Sequence, residues 1–194
     1  MPPSISSKRR DIVDATKDLL WTMGYESMSP RDILNASNAG QGSLYHHFEG
    51  KKAVTLEALT EVGAEMLADL ERLFDPRLMP LERIRRYLTV DRRGLSGCRL
   101  GRLANESAFS EADLRAPLEK YFTEVLHQLE LALKEARSRG ELARSVNVQR
   151  TARAIAASVQ GGYVLSRALG DAAAVNYATA GALALLEQAK PAKP

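Results

Sequence analysis

The sequence predicts an all-α protein, and three observations predict it. Residues of high helix propensity dominate the 194-residue chain, while runs of β-branched residues are few. Apolar positions recur three and four apart in one segment after another. Between those segments stand glycine, proline and asparagine, which stop helices or turn the chain. About nine helices fit this pattern. They fall into an N-terminal three-helix unit over residues 1–50, a larger helical domain over 51–189 and a disordered tail at 190–194.

The first helix, Ser7 to Met23, carries Ile12, Ala15, Leu19 and Leu20 on one stripe and stops at Gly24. Trp21 and Tyr25 then belong to the core and rim of the three-helix unit. Ser29 is placed to cap a second helix, and Pro30 fits its first position, where a missing N–H costs nothing. Ile33, Leu34 and Ser37 follow at helical spacing until Asn38, Ala39 and Gly40 turn the chain. A third, short helix begins near Gln41. It buries Leu44 and Phe48, four apart, and leaves Gln41, Ser43, Tyr45 and His46 on a polar face short enough to enter a major groove. His47 points the other way, into the unit. The pair of short helices around a sharp turn reads as a helix-turn-helix.

A long connector helix runs from Lys51 to Phe74, and Asp75, Pro76 and Pro80 break the chain after it. Further helices are expected from Leu81 to Arg93, from Cys98 to Ala108, and from Leu114 to Arg139, the last closed by Gly140. The final two, Val148 to Leu169 and Ala172 to Gln188, are rich in alanine, glycine and serine, which let backbones approach closely.

Composition excludes several classes. The net charge is only +3, and Met1 to Lys52 holds seven Lys/Arg against six Asp/Glu, so nucleic-acid binding rests on where cations sit rather than on their number. Lys8, Arg9 and Arg10 cluster at the entry to the first helix, and Lys51 with Lys52 follows the third, two places from which flanking phosphates are within reach. One cysteine rules out an intrachain disulfide and fits a reducing cytoplasm. No apolar run approaches the roughly 20 residues of a membrane span, and Met1 to Arg10 lacks the apolar core of a secretory signal, so a cytoplasmic location is expected. Two of the three histidines sit in the head and His127 stands alone, which leaves no Ser/His/Asp, Cys/His or metal-ligand set. The expectation is a protein that is not an enzyme and holds no cofactor or metal.

Ser29-Pro30-Arg31-Asp32-Ile33, Gly42-Ser43-Leu44-Tyr45-His46-His47-Phe48 and Lys51 together resemble the DNA-binding domain of the TetR/AcrR family of bacterial repressors. Many members carry glycine in the turn where this chain has Asn38 and Ala39, and Gly42 replaces a residue friendlier to helix. The resemblance implies that Tyr45, His46 and Lys51 contact phosphates. From their own chemistry, Ser29 and Arg31 are candidates for phosphate, Arg31 also for guanine, and Gln41, Gly42 and Ser43 form the end that meets base edges. The family likeness further implies homodimerisation through the last two helices and a small-molecule effector.

Room for that effector lies between the helices of the second domain. Candidate lining residues from the first half of it are Met66, Leu70, Phe74, Tyr87, Cys98 and Leu103. Those from the second are Phe109, Tyr121, Phe122, Val125 and Tyr163. Residues 77–102 hold eight arginines against Glu82 and Asp91, which fits either an anionic ligand or a solvated face paired with Glu106, Glu111 and Glu119. Ser96-Gly97-Cys98, Leu103 to Glu106 and Ser110 to Arg115 resemble a TetR subgroup that includes electrophile- and oxidant-sensing repressors. In that reading Cys98 opens a helix near Arg93, Arg99 or Arg102 and is a sensor. The other reading makes it small buried filler.

The function expected is therefore a ligand-responsive repressor that binds double-stranded DNA at a palindromic operator as a dimer and is released by a small molecule or reactive electrophile. The alternative is a helical small-molecule-binding or interaction protein without specific DNA binding.

Overall fold

The structure, a computed structural model, describes residues 5–40 and 42–191. Within them the chain forms α1 (Ile5–Thr22), α2 (Pro30–Ala36), α3 (Ser43–His47), α4 (Lys51–Leu73), α5 (Pro80–Thr89), two 3-10 turns (Gly101–Asn105 and Ser107–Ser110), α6 (Ala112–Ser138), α7 (Val148–Leu169) and α8 (Ala174–Gln188). No strand occurs among the described residues. The all-α expectation holds, with eight α-helices and two 3-10 turns among the described residues.

Two units divide the chain: Met1–Glu65 with Arg99–Lys120, and Met66–Cys98 with Tyr121–Pro194. In the first, α1, α2 and α3 pack on one another and bury Ile12, Met28, Ile33 and Leu44. Full burial of a side chain such as Leu44 stabilises by about 1.5–3 kcal/mol. Charged pairs tie α1 to α4: Arg10 donates to Glu61 (2.9 Å), and Lys17, itself largely buried, to Glu61 (3.3 Å) and Glu65 (2.5 Å). Burial works against the charge on Lys17, yet its bonds to the two glutamates prevail and raise its pKa.

In the second unit Phe74, Ile84, Leu129, Leu133, Ile155 and Val159 are among the core. The small residues of the last two helices serve their mutual contact first. A Cβ added to Gly162 would meet the Val175 Cα at 2.9 Å, so α7 and α8 touch through backbone. The buried Ser166 hydroxyl then accepts the Val175 N–H at 3.0 Å.

Most helix ends shift by one or two residues from the sequence expectation, and three differences have a visible local cause. The helix α5 ends at Thr89 rather than Arg93, because the Arg92 guanidinium folds back on the carbonyls of Tyr87, Leu88 (3.1 Å) and Val90 (3.0 Å). Residues 98–108 make no α-helix. Gly97 is left-handed (φ +79°), and an extended Glu106 separates the two 3-10 turns. The short helix α3 begins at Ser43 and lacks a side-chain cap, since Gly42 offers none. Of the expected tail, Lys190 and Pro191 are described, and the Lys190 N–H bonds the Glu187 carbonyl (3.4 Å); residues 192–194 lie outside the described residues.

Candidate functional site

Local chemistry builds the helix-turn-helix. Ser29 caps α2 as its hydroxyl oxygen accepts the Asp32 N–H (3.2 Å), while the Asp32 carboxylate accepts the Ser29 N–H (2.8 Å) and O–H (2.6 Å). Those bonds, the hydroxyl's first, hold the Asp32 pKa below its ordinary value. Ser29 is a phosphate candidate by its position, but both of its donors are engaged by Asp32 and the helix start already holds a carboxylate. Its place here is the cap. Asn38 takes the left-handed turn (φ 48°), and Lys8 donates to its carbonyl (3.2 Å).

Beyond the turn, Leu44 and Phe48 are buried, and Tyr45 is 64% exposed with His46 also exposed. The His46 and His47 rings meet edge-on at 4.8 Å, and His47 rests against Phe48 at 6.5 Å. One concavity brings Arg31 together with Tyr45, along with Pro30, Leu34, Asn35 and Ala39. Arg31 is exposed and makes no ion pair among the described residues. Gly42 is exposed and Ser43 half-buried at the start of α3, while Gln41 lies outside the described residues.

The other expected phosphate cations are held within the chain. Arg9 grips Glu57 and lies 4.9 Å from the Phe48 ring, and Lys52 pairs with Glu111 (2.6 Å) and Asp113 (2.7 Å). The Lys51 ammonium donates to the carbonyls of Tyr25 (3.0 Å) and Met28 (2.9 Å) and sits 4.1 Å over the Tyr25 ring. An ammonium has three donors, so one remains.

A feature without a counterpart in the sequence reading fastens the α1–α2 turn. The Glu106 carboxylate accepts the backbone N–H groups of Tyr25 (3.2 Å) and Glu26 (2.7 Å). In return the Glu26 carboxylate accepts from the Ser107 hydroxyl (2.6 Å) and the Ala108 N–H (3.0 Å), which lower its pKa. Arg102 adds a bond to the Trp21 carbonyl, and the Tyr25 ring meets Phe109 edge-on at 6.1 Å. Two glutamates eighty residues apart carry no local signal of such reciprocity.

A cavity of about 410 Å3 lies in the second unit. Met66, Leu70, Tyr87, Tyr121 and Tyr163 line it as expected, joined by Asp69, Arg72, Leu73, Val90, Asp91 and Arg92. Phe74 packs beside Tyr87 (5.7 Å), Phe122 lies edge-on to Tyr121 (5.2 Å) and Val125 is in the core. Leu103 and Phe109 are corrections: both are buried in the first unit. Burial pushes the Tyr87 phenol up to about 12 and raises Tyr121 and Tyr163 as well.

Cys98 is buried within electrostatic range of these phenols. It does not open a helix, since the nearest 3-10 turn starts at Gly101, and Arg99 is turned to Glu65 (2.6 Å). The acids expected to balance residues 77–102 are engaged elsewhere: Glu106 with amides, Glu111 with Lys52, Glu119 with Arg115. Arg77 pairs instead with Asp75, Arg83 with Glu135, Arg85 with Glu82 and Glu187, and Arg99 with Glu65. Among the described residues no cluster of His, Cys, Asp or Glu is suited to a metal ion, and no helix is long and apolar enough to cross a membrane.

A capped α2, a left-handed turn, an exposed α3 and a separate helical unit with a cavity define a helix-turn-helix regulator. Residues 12–58 match the family described as bacterial regulatory proteins, tetR family, and residues 77–182 match the tetracyclin repressor-like C-terminal domain. The chain belongs to the TetR family of DNA-binding transcriptional regulators and is not an enzyme. It is similar to the transcriptional regulator AcuR of Cereibacter sphaeroides, 27% identical over 72% of this chain and 67% of the relative. The fold is shared with a TetR-family regulator from Agrobacterium tumefaciens (TM-score 0.83, 23% identity, 94% of this chain and 99% of that one). It is shared too with reduced NemR from E. coli (TM-score 0.79, 22% identity, 96% and 100%).

Proposed function

We propose that this chain is a ligand-responsive repressor of the cytoplasm. Two copies joined through α7 and α8 bind a palindromic operator, and a small molecule in the cavity of the second unit releases it. The reading is carried by the path of two helices. Met66 and Tyr121 line the cavity, and they are the residues at which α4 and α6 pass from the first unit to the second. A ligand that favours one disposition of either helix thereby biases the unit that holds α3. A differential affinity worth about 1–3 kcal/mol suffices for typical coupling.

Residues 1–50 serve as the DNA-binding domain in this reading and 51–189 as the effector and dimerisation domain. Arg31, Gly42, Ser43, Tyr45 and His46, with Gln41 from the sequence, meet the DNA, and Lys51 offers its third donor to a phosphate. Dimerisation is supported by apolar side chains left outside the core. Val164, Leu165 and Leu169 of α7 and Tyr177 and Leu185 of α8 are all exposed, Tyr177 by 75%. Cys98, buried near the phenols of Tyr87 and Tyr121 but not among the residues that line the cavity, is the nucleophile an electrophilic effector would meet, and an equal response of wild type and Cys98→Ser to quinones excludes that route.

A genomic-fragment selection followed by band shifts at physiological salt tests the proposal. The expected result is a palindromic site, an even number of chains per site and release by a small molecule. Binding no tighter than to random DNA, or one chain per site, overturns it.

A further inference from the structure

Hydrogen-bond donors gather on one side of the cavity, at Arg92, Tyr87, Tyr121 and Tyr163. Arg92 holds its guanidinium on the carbonyls of Tyr87, Leu88 and Val90, 5.3 Å from the Tyr87 ring, and lines the cavity with Tyr163. No carboxylate among the described residues pairs with it. Tyr87 is only 5% exposed and Tyr121 is half-buried, and neither hydroxyl bonds another described residue. Neither hydroxyl oxygen is sealed from solvent, so both reach open space where a ligand acceptor takes the place of water. Burial also keeps all three phenols protonated, so they stand ready to donate.

The carboxylates that line the space do not answer these donors. Asp69 is paired with Arg72, and Asp91 is exposed to solvent. The remaining wall, Met66, Leu70, Leu73 and Val90, is apolar. A cation would face an uncompensated guanidinium. A neutral acceptor would satisfy the phenols and leave that charge unanswered.

We propose that the cavity binds a small organic carboxylate, its anionic end among Arg92, Tyr87 and Tyr121 and its apolar body against Met66 and Leu70. This rests on the cavity being the effector site, and it adds the chemical class of the effector. A charge-assisted bond from a neutral phenol to a carboxylate exceeds the same bond to an amide.

Calorimetric titration of the full chain with benzoate and butyrate, beside the isosteric amides and the cation benzamidine, tests it. At least one acid is expected to bind, about tenfold or more tighter than its amide, with benzamidine weakest. Tyr121→Phe and Tyr87→Phe should each weaken that acid about fivefold to tenfold while leaving the unfolding temperature nearly unchanged. Arg92→Met should abolish the preference for acid over amide. Because Arg92 also ends α5, the two phenylalanine variants keep the test standing if that protein does not fold.

Failure of both acids to bind, an amide or benzamidine binding as tightly, or an acid indifferent to both phenylalanine substitutions overturns the proposal. A band shift run with the same compounds separates the two readings. Acid binding without operator release counts against the effector role and leaves the ligand class standing. Release by neutral compounds alone does the reverse.

Discussion

Replacing Glu106 by alanine removes the acceptor of two backbone amides, those of Tyr25 and Glu26. Hydrogen bonds to a charged group contribute about 1.5–3 kcal/mol each when sheltered. Glu106 is half-buried, and water reclaims part of that, so the expected loss for the pair is about 2 kcal/mol. This equals roughly thirtyfold in a local opening equilibrium. Amide hydrogen exchange reads it directly: the Tyr25 and Glu26 amides should exchange about thirtyfold faster, while that of Leu129 in the second unit does not change. Glu106→Gln should fall between, since its amide keeps one oxygen and turns a donor toward the other N–H. Unchanged protection at both amides in the alanine variant would refute the reasoning that this carboxylate fastens the turn.

Gly24→Ala tests the same spot from the other side. Gly24 is left-handed (φ +87°) and its Cβ would strike the Glu106 carboxylate, so a destabilisation of about 1–2 kcal/mol from backbone strain is expected even before the clash. Denaturant unfolding should show the Glu106→Ala background recovering part of the difference. A second test concerns alkaline pH. Tyr87 titrates near 12 when folded against 10.0 ordinarily, so its contribution to stability is whole below pH 10 and is lost as pH rises through about 12. The tyrosinate absorbance that Tyr87→Phe removes should therefore appear only near pH 12, and its appearance near pH 10 in a still-folded protein contradicts it. For assembly, Leu169→Glu with Tyr177→Glu should turn a dimer into monomers by sedimentation with helix content unchanged. On DNA, Arg31→Ala and Lys51→Ala should each reduce the slope of operator affinity against salt, on logarithmic axes, by about one for every phosphate the side chain neutralises. Only Lys51→Ala should also lower the unfolding temperature, because it frees the Tyr25 and Met28 carbonyls.

Where the determinants are local, the sequence is enough. Ser29 with Pro30, the left-handed Asn38, and the spacing of Leu44 and Phe48 define the helix-turn-helix without any distant residue. The α7 boundaries follow in the same way from Asn147 as a cap and Gly170 as a left-handed stop. Residues 98–108 defeat such reading, because their two 3-10 turns are held by Glu26 and Trp21, some eighty positions away. Tyr87, Tyr121 and Tyr163 share a cavity as their aromatic character foretells, but helical periodicity says nothing about which element a buried Leu103 or Phe109 will face. Arg92 stands among eight arginines of equal standing in the sequence. What distinguishes it is the fold of its side chain onto the end of its own helix.

The lattice of opposite charges joining α1 and the start of α6 to α4 has a cost and a benefit for a protein that must find DNA. Arg9, Arg10, Lys17 and Lys52 are already neutralised by Glu57, Glu61, Glu65, Glu111 and Asp113, so the head exerts only a weak long-range pull on a polyanion. In the proposed repressor the cations so occupied would add little to the salt dependence of binding, which Arg31 and the third donor of Lys51 would set, with specificity left to the five-residue helix α3.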